Sequence, residues 1–148
     1  MIKGNRNKIN LTTDNFAKFM ENDWLYVDKT AFIEHIFGDD NEVLLFTRPR
    51  RMGKSLNLNT LRTFADIKNN SSGLFEGLAI SGSRVFGNIN KYCVIYLDFK
   101  NYGASSLENF KSSFKMNMQS ILYKYLTGTQ INPVVKEYLA DGSNHGAY

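Results

Sequence analysis

The chain has 148 residues, of which 43% are hydrophobic and 22% charged, and its formal net charge is +4. This length and composition are typical of one globular domain with a single core. They exclude a membrane-spanning helix, because no apolar run approaches about 18 residues. They also exclude an internal disulfide framework and a cysteine–histidine metal cluster, because the chain has 1 cysteine and 2 histidines.

The charges are divided unevenly along the chain. Residues 1–47 carry 5 Lys and Arg against 8 Asp and Glu, whereas residues 48–148 carry 13 against 6. The sign changes at Arg48-Pro49-Arg50-Arg51, where the sequence predicts a local attraction for polyanions. A basic face that is only solvated is the alternative.

The N-terminal segment MIKGNRNKINL lacks the long apolar stretch of a signal peptide. Cys93 lies in an apolar run and has no second cysteine with which to pair. We therefore predict a buried thiol and a cytoplasmic location.

The first predicted elements follow an N-terminal extension at residues 1–20. WLYVD (24–28) predicts a short strand, because its residues are those that strands favour. Residues 29–37 predict a helix with one apolar side, which Asp28 caps and Gly38 ends.

The second pair of elements surrounds a basic loop. VLLFT (43–47) is a continuous apolar run, typical of a strand that is buried on both faces. Pro49 stops this strand, and helical spacing then runs from Lys54 to about Ile67.

The remaining elements are short turns, one strand and a long helix. LFEGLAI and SRVFGNI predict short helical turns, and CVIYLDF (93–99) predicts a second buried strand. A capping box at Ser105 and Glu108 opens a long helix with an apolar stripe, which Gly128 closes. A last short helix begins at Asn132-Pro133, and residues 141–148 form a frayed tail. We predict a single domain over residues 1–148.

The stretch LLFTRPRRMGKSLN (44–57) ends in the second half of a phosphate-binding loop. The pattern G-x-x-x-x-G-K-[ST] is matched at Gly53, Lys54 and Ser55, but Arg48 occupies the position of the first glycine. Gly53 would allow the backbone to turn close to the ligand, Lys54 would reach the β- and γ-phosphates, and the Ser55 hydroxyl would bind Mg²⁺.

The rest of the loop adds cations to this motif. Arg50 and Arg51 carry planar guanidinium groups that suit phosphate oxygens, and the following helix N-terminus presents free N–H groups. The sequence thus predicts a site for ATP or ADP with Mg²⁺ that is formed by Arg48, Arg50, Arg51, Gly53, Lys54 and Ser55. A basic helix N-terminus without a specific ligand is the alternative.

Four segments carry a resemblance to a known family. YVDKTAFIEHIF, LLFTRPRRMGKSLNLNTL, LFEGLAI and VIYLDFK occur in that order and resemble the N-terminal part of the predicted AAA-ATPase-like family, over roughly residues 20–102. Members of that family use RPRR-x-GKS, so the resemblance implies that Arg48 is a family trait. It also implies the Walker A roles for Lys54 and Ser55.

The resemblance ends before the segment that the family uses for hydrolysis. There, a later strand ends in Asp-Glu and supplies the magnesium ligand and the base, and no such strand is found in this sequence. Asp98 is the one candidate metal ligand, but Phe99 follows it, and the resemblance places VIYLDFK at an earlier strand. It therefore implies a truncated P-loop-like α/β domain, with a small sheet of 2–4 strands covered by helices and a long C-terminal helix. We expect no catalytic residues and no steady ATP hydrolysis.

Several functions stay open at this point. The chain is expected to bind nucleotide or phosphate and to act by binding a partner. One alternative is a small inhibitor of a nucleic-acid-handling effector, encoded by a mobile element and similar in kind to anti-CRISPR proteins. A second is the N-terminal part of an active ATPase that another chain completes. A third is the remnant of a broken gene.

Two surfaces are candidates for contact with a partner. Exposed strand edges invite a protein, and the segment Arg48–Lys54 suits a nucleic-acid backbone or an acidic protein surface. No base-specific reading and no membrane contact are expected.

Overall fold

The computed structural model describes residues 2–40, 43–47, 49, 51–99 and 106–126. In chain order the elements are β1 (Ile2–Lys3), α1 (Phe16–Glu21), β2 (Tyr26–Val27), α2 (Ala31–Gly38), α3 (Lys54–Ala65), three 3₁₀ helices (η1 Ser72–Phe75, η2 Ala79–Gly82, η3 Arg84–Asn88) and α4 (Leu107–Leu126). The chain divides into two compact units, Met1–Val94 and Ile95–Tyr148. In its described part the fold is a mixture of helices and one small antiparallel sheet, with α4 as the C-terminal helix.

The sheet of the first unit has two strands. Ile2 lies opposite Val27 and Lys3 opposite Tyr26, in antiparallel register. The chain then passes close to Trp24, because Gly4 has a φ of 90° and a Cβ at this position would lie 2.2 Å from the Trp24 carbonyl oxygen. β2 confirms the strand predicted at WLYVD, and its partner β1 comes from the segment that the sequence assigned to an N-terminal extension.

Aromatic side chains dominate the core of this unit. The Phe16 and Phe75 rings stack at a centroid distance of 4.7 Å, and Phe64 meets Phe75 edge to face at 5.4 Å. Such pairs contribute about 1 kcal/mol each beyond the burial of their area. The buried apolar residues, which come from α1, β2, α2, α3 and the three 3₁₀ helices, are Phe16, Phe19, Tyr26, Ile33, Phe64, Phe75, Leu78, Ile80 and Val85.

The C-terminal end of α3 is closed by Asn90. Its side-chain amide nitrogen donates to the carbonyl oxygens of Thr63, Phe64 and Asp66 at 3.1–3.3 Å. These carbonyls belong to the last turn of the helix and to its C-cap, where backbone acceptors lack partners within the helix. The Asn90 side-chain oxygen also accepts from the Ser71 amide at 3.0 Å. One side chain therefore joins the end of α3 to the loop that follows it.

Two strand predictions are wrong. Residues 43–47 have no regular secondary structure, and all five are exposed, with Val43 at 84% and Leu45 at 85%. Residues 93–98 form no strand either, and Cys93 is exposed and not buried as predicted. An apolar run becomes a buried strand only when other strands pair with it, and in the described part of the chain no strand lies beside either segment.

The helix predictions agree better with the structure. α2, α3 and the short helical turns lie where the sequence predicts them, although Thr30 and not Asp28 is the N-cap of α2. In the second unit, the predicted stripe of α4 is half-buried at Phe110, Phe114 and Met118, while Leu107 is 68% exposed. Ser105, Gly128, the helix at Asn132-Pro133 and the tail at 141–148 lie outside the described residues, and the single domain stays a prediction.

No helix in the described part of the chain has the length and hydropathy needed to cross a membrane.

The hydroxyl of Tyr26 is a polar group that lies buried in the apolar core. The residue is 2% exposed, and its hydroxyl makes no hydrogen bond of normal geometry with any of the described residues. Burial raises the pKa of Tyr26 to about 12, and the charge of Asp28 adds to the rise. The Thr60 side chain and the Lys29 backbone offset it in part.

We expect this pKa to make the fold sensitive to alkali. Above pH 10 the unfolded chain releases the tyrosine proton, whereas the folded chain retains it until the pH approaches 12. The free energy of unfolding should therefore fall across this window, by about 2–3 kcal/mol. Tyr26→Phe should remove this part of the fall, which urea unfolding at pH 9, 10, 11 and 12 would measure. Parallel pH curves for the two proteins would contradict the expectation.

Candidate phosphate-binding site

The turn at the start of α3 has two residues in the left-handed region of the backbone. Gly53 is the N-cap of the helix, and its φ of 75° and ψ of 20° place it in the left-handed region, where a residue without Cβ is not strained. Arg51, two residues earlier, also has a positive φ of 63°. The first turn of α3 carries no acidic residue, so its free N–H groups face no negative charge of their own helix.

Lys54 connects the start of α3 to the loop before it. Its ammonium group donates a hydrogen bond of 2.8 Å to the carbonyl oxygen of Pro49. A neutral carbonyl is a weaker acceptor for an ammonium group than an ionised oxygen. In this hydrogen bond the acceptor of Lys54 is therefore an uncharged oxygen.

The structure describes some of the other predicted site residues and not others. Ser55 lies half-buried in the first turn of α3, and Arg51 is exposed. Arg48 and Arg50 fall outside the described residues. Asp98 belongs to the second compact unit. Its role as a metal ligand stays a prediction, as do the roles of the other predicted site residues.

The described residues offer little to a metal ion. They contain no group of three or more His, Cys, Asp or Glu side chains that could hold one. The Ser55 hydroxyl is the predicted Mg²⁺ ligand that lies in the first turn of α3, so a magnesium ion would depend mainly on the oxygens of its nucleotide. The site therefore fits the anion better than it fits the metal.

A second lysine reaches the same turn and was missed in the sequence. The Nζ atom of Lys29 lies 4.0 Å from the position that a Cβ on Gly53 would occupy. The two residues are 24 positions apart, and no spacing rule connects them. In the sequence, Lys29 is marked only by its polar neighbours Asp28 and Thr30, directly before α2.

The neighbours of Lys29 are held by hydrogen bonds to η2. One carboxylate oxygen of Asp28 accepts from the Thr30 amide and hydroxyl at 2.8 and 2.7 Å, and the other accepts from the Ala79 amide at 2.8 Å. The Thr30 hydroxyl oxygen in turn accepts from the Ile80 amide at 3.2 Å. We call these four hydrogen bonds the Asp28–Thr30 clamp. It fastens the backbone on both sides of Lys29 to a buried part of the fold.

An apolar cavity of about 240 Å³ lies beside Lys54. Its walls come from α2, from the exposed segment 43–47 and from one face of α3, and the lining residues are Phe32, Ile36, Leu44, Phe46, Lys54, Asn57, Leu58 and Leu61. Because 43–47 is not a strand, the strand–loop–helix arrangement of a complete P-loop is present only as loop and helix.

The turn at Gly53 and Lys54 is thus the place in the structure where the GKS motif predicts an anion-binding site of the P-loop kind. The model of the AAA-ATPase-like family, described as "Predicted AAA-ATPase", matches residues 10–144. The chain belongs to this predicted AAA-ATPase family.

One curated relative extends this comparison. An "Uncharacterized protein in vnfD 5'region" of Azotobacter chroococcum mcd 1 is 40% identical over 76 residues. The matched stretch covers 51% of this chain and 14% of the relative. No solved structure matches the chain.

We expect the Asp28–Thr30 clamp to contribute measurably to stability. Asp28→Ala removes three hydrogen bonds to a half-buried carboxylate, including the long-range bond from Ala79. The free energy of unfolding should fall by about 2 kcal/mol, since a hydrogen bond to a charged group contributes about 1.5–3 kcal/mol. Asp40→Ala, at an exposed position, is the matched control in thermal and urea unfolding. Equal stability of the two variants would show that the clamp contributes nothing.

Proposed function

We propose that this chain binds ATP or ADP, with Mg²⁺ held largely by the nucleotide, through the turn Gly53–Ser55. The observation that carries the proposal is the start of α3, where a left-handed glycine precedes a lysine whose ammonium group rests on a replaceable carbonyl oxygen. Membership of the predicted AAA-ATPase family supports nucleotide as the ligand. Arg51 adds a guanidinium group next to the turn, and Arg48 and Arg50 are assigned to the site from the sequence alone.

The chemistry of binding follows from the groups of the turn. The backbone N–H groups of the first turn of α3 donate to phosphate oxygens, and the helix dipole favours their negative charge. Lys54 exchanges the Pro49 carbonyl for the β- and γ-phosphates, which makes the new hydrogen bond charge-assisted. Ser55 turns its hydroxyl oxygen to the magnesium ion of the bound nucleotide.

The isolated chain is proposed to bind nucleotide without steady turnover. Hydrolysis needs a metal ligand, a positioned water and a group that stabilises the transferring phosphoryl, acting together. The sequence offers no Asp-Glu strand end for the first two, and Asp98 is followed by Phe99. Binding is thus the activity that the residues of the turn can carry by themselves.

Binding to the native state should raise the melting temperature by mass action. We expect Mg-ATP at about 100 times its Kd to add roughly 2.7 kcal/mol to the free energy of unfolding. Lys54→Ala should remove this gain and leave the secondary structure intact. Lys68→Ala, which removes an exposed lysine from a turn outside the site, should retain it.

Differential scanning fluorimetry with a nucleotide titration would measure these shifts. A melting temperature that millimolar Mg-ATP changes in none of the three proteins would sink the proposal. An equal gain in wild type and Lys54→Ala would move the binding away from the turn.

One observation favours a second candidate function, the part of an ATPase that another chain completes. The segment 43–47 exposes its apolar side chains next to the apolar cavity beside Lys54. A strand inserted there would bury both, and if it ended in Asp-Glu it would bring the missing carboxylates to the nucleotide. The Azotobacter relative is several times longer than the stretch that it shares with this chain, so its remaining part is a suitable source of such a strand.

We expect phosphate release by the isolated chain to equal that of Lys54→Ala. If the second candidate holds, hydrolysis appears when the remaining part of the Azotobacter relative is co-expressed with the chain. Leu45→Glu should abolish it, while Leu11→Glu, at another exposed leucine, should not. Release by the isolated chain that survives repeated purification and needs Lys54 would contradict the absence of turnover.

The inhibitor function and the contact of Arg48–Lys54 with a nucleic-acid backbone or an acidic protein stay predictions. Two of the four cations lie outside the described residues, and no contact within the described part of the chain favours either idea.

A further inference from the structure

We propose that Lys29 is a second phosphate-binding cation, which contacts the phosphate chain of the nucleotide beside Gly53. This inference rests on the proposed function, because it assigns a further residue to the same site. It concerns a residue that no part of the GKS motif contains.

The position of the ammonium group is the first argument. It lies 4.0 Å from where a Cβ on Gly53 would be, at the point where the absence of a side chain lets a phosphate approach the backbone. A phosphate oxygen that accepts from the N–H groups of this turn lies within the reach of a flexible lysine side chain.

The partners of Lys29 are the second argument. Its neighbour Asp28 directs both carboxylate oxygens into hydrogen bonds with Thr30 and Ala79. Among the described residues none forms a hydrogen bond or an ion pair with the Lys29 ammonium group. The charge is thus exposed and uncompensated, whereas the backbone that carries it is fastened on both sides by the Asp28–Thr30 clamp.

The balance of charge around the turn is the third argument. Lys29, Arg51 and Lys54 place three cations near the N-terminus of α3, and the first turn of the helix has no acidic residue to offset them. Like charges repel one another until an anion with several charges arrives. A polyphosphate supplies those charges, and its attraction for the site grows with the number of phosphates. We therefore expect Lys29 to matter more for ATP than for ADP.

The test compares Kd values for ATP and ADP, measured by isothermal titration calorimetry, in wild type and three variants. Lys29→Met preserves much of the apolar stem and removes the charge, Lys29→Arg preserves the charge, and Lys68→Met is the matched control at an exposed lysine. Lys29→Met should weaken ATP binding about tenfold, as the loss of one charge-assisted hydrogen bond predicts. The loss for ADP should be smaller, and Lys29→Arg should restore most of the affinity.

Each outcome separates this inference from the proposed function. If wild type binds ATP, Lys54→Ala does not, and Lys29→Met binds like Lys68→Met, the role of Lys29 is overturned while nucleotide binding stands. If wild type binds no nucleotide, both are overturned. Lys29→Gln provides a second neutral variant should Lys29→Met unfold. An equal loss for ATP and ADP in both neutral variants, without rescue by Lys29→Arg, would indicate a structural role and would also overturn the inference.

Discussion

The Asp28–Thr30 clamp is the interaction on which most of the first unit depends. Two of its four hydrogen bonds join the start of α2 to η2 across about fifty residues of chain, and they satisfy backbone N–H groups that would otherwise be left without partners. The clamp positions Ile33 and Ile80 in the aromatic core. It also leaves Lys29, between its two members, directed at the turn before α3. A single short segment therefore serves both the packing of the unit and the electrostatics of the candidate site.

α3 connects the candidate site to the core, because its N-terminal end lies at the site and its C-terminal end lies in the core. The C-terminal end is closed by the amide of Asn90, and Phe64 in its last turn packs against Phe75. The N-terminal end carries its free N–H groups, Gly53 and Lys54, and no acidic side chain. A helix that is held at one end can keep the other end in a geometry suited to an anion, since the packing and not the ligand determines where the helix lies. Binding at the turn then costs little ordering of the helix itself.

Two apolar segments of the chain form no strand, and one of them, 43–47, is exposed throughout. Residues 43–47 and 93–98 have the composition of central strands, yet they have no strand beside them in the described part of the chain. Both segments lie within residues 10–144, the stretch that matches the predicted AAA-ATPase family. An apolar run is buried in a sheet only where other strands pair with it. Segment 43–47 also forms one wall of the apolar cavity next to Lys54.

Local patterns determined much of what the sequence could determine alone. α2 and α3 follow from apolar residues at helical spacing, and the GKS motif marked the turn at Gly53, because helices and turns are set by neighbours in the chain. What depends on distant residues was decided by the tertiary structure. The pairing of β1 with β2, the closure of α3 by Asn90 and the approach of Lys29 to Gly53 all join residues more than twenty positions apart. The strands predicted at 43–47 and 93–99 failed for the same reason: hydrophobicity indicates that a segment favours burial, but only the presence of paired strands provides the place where it can be buried.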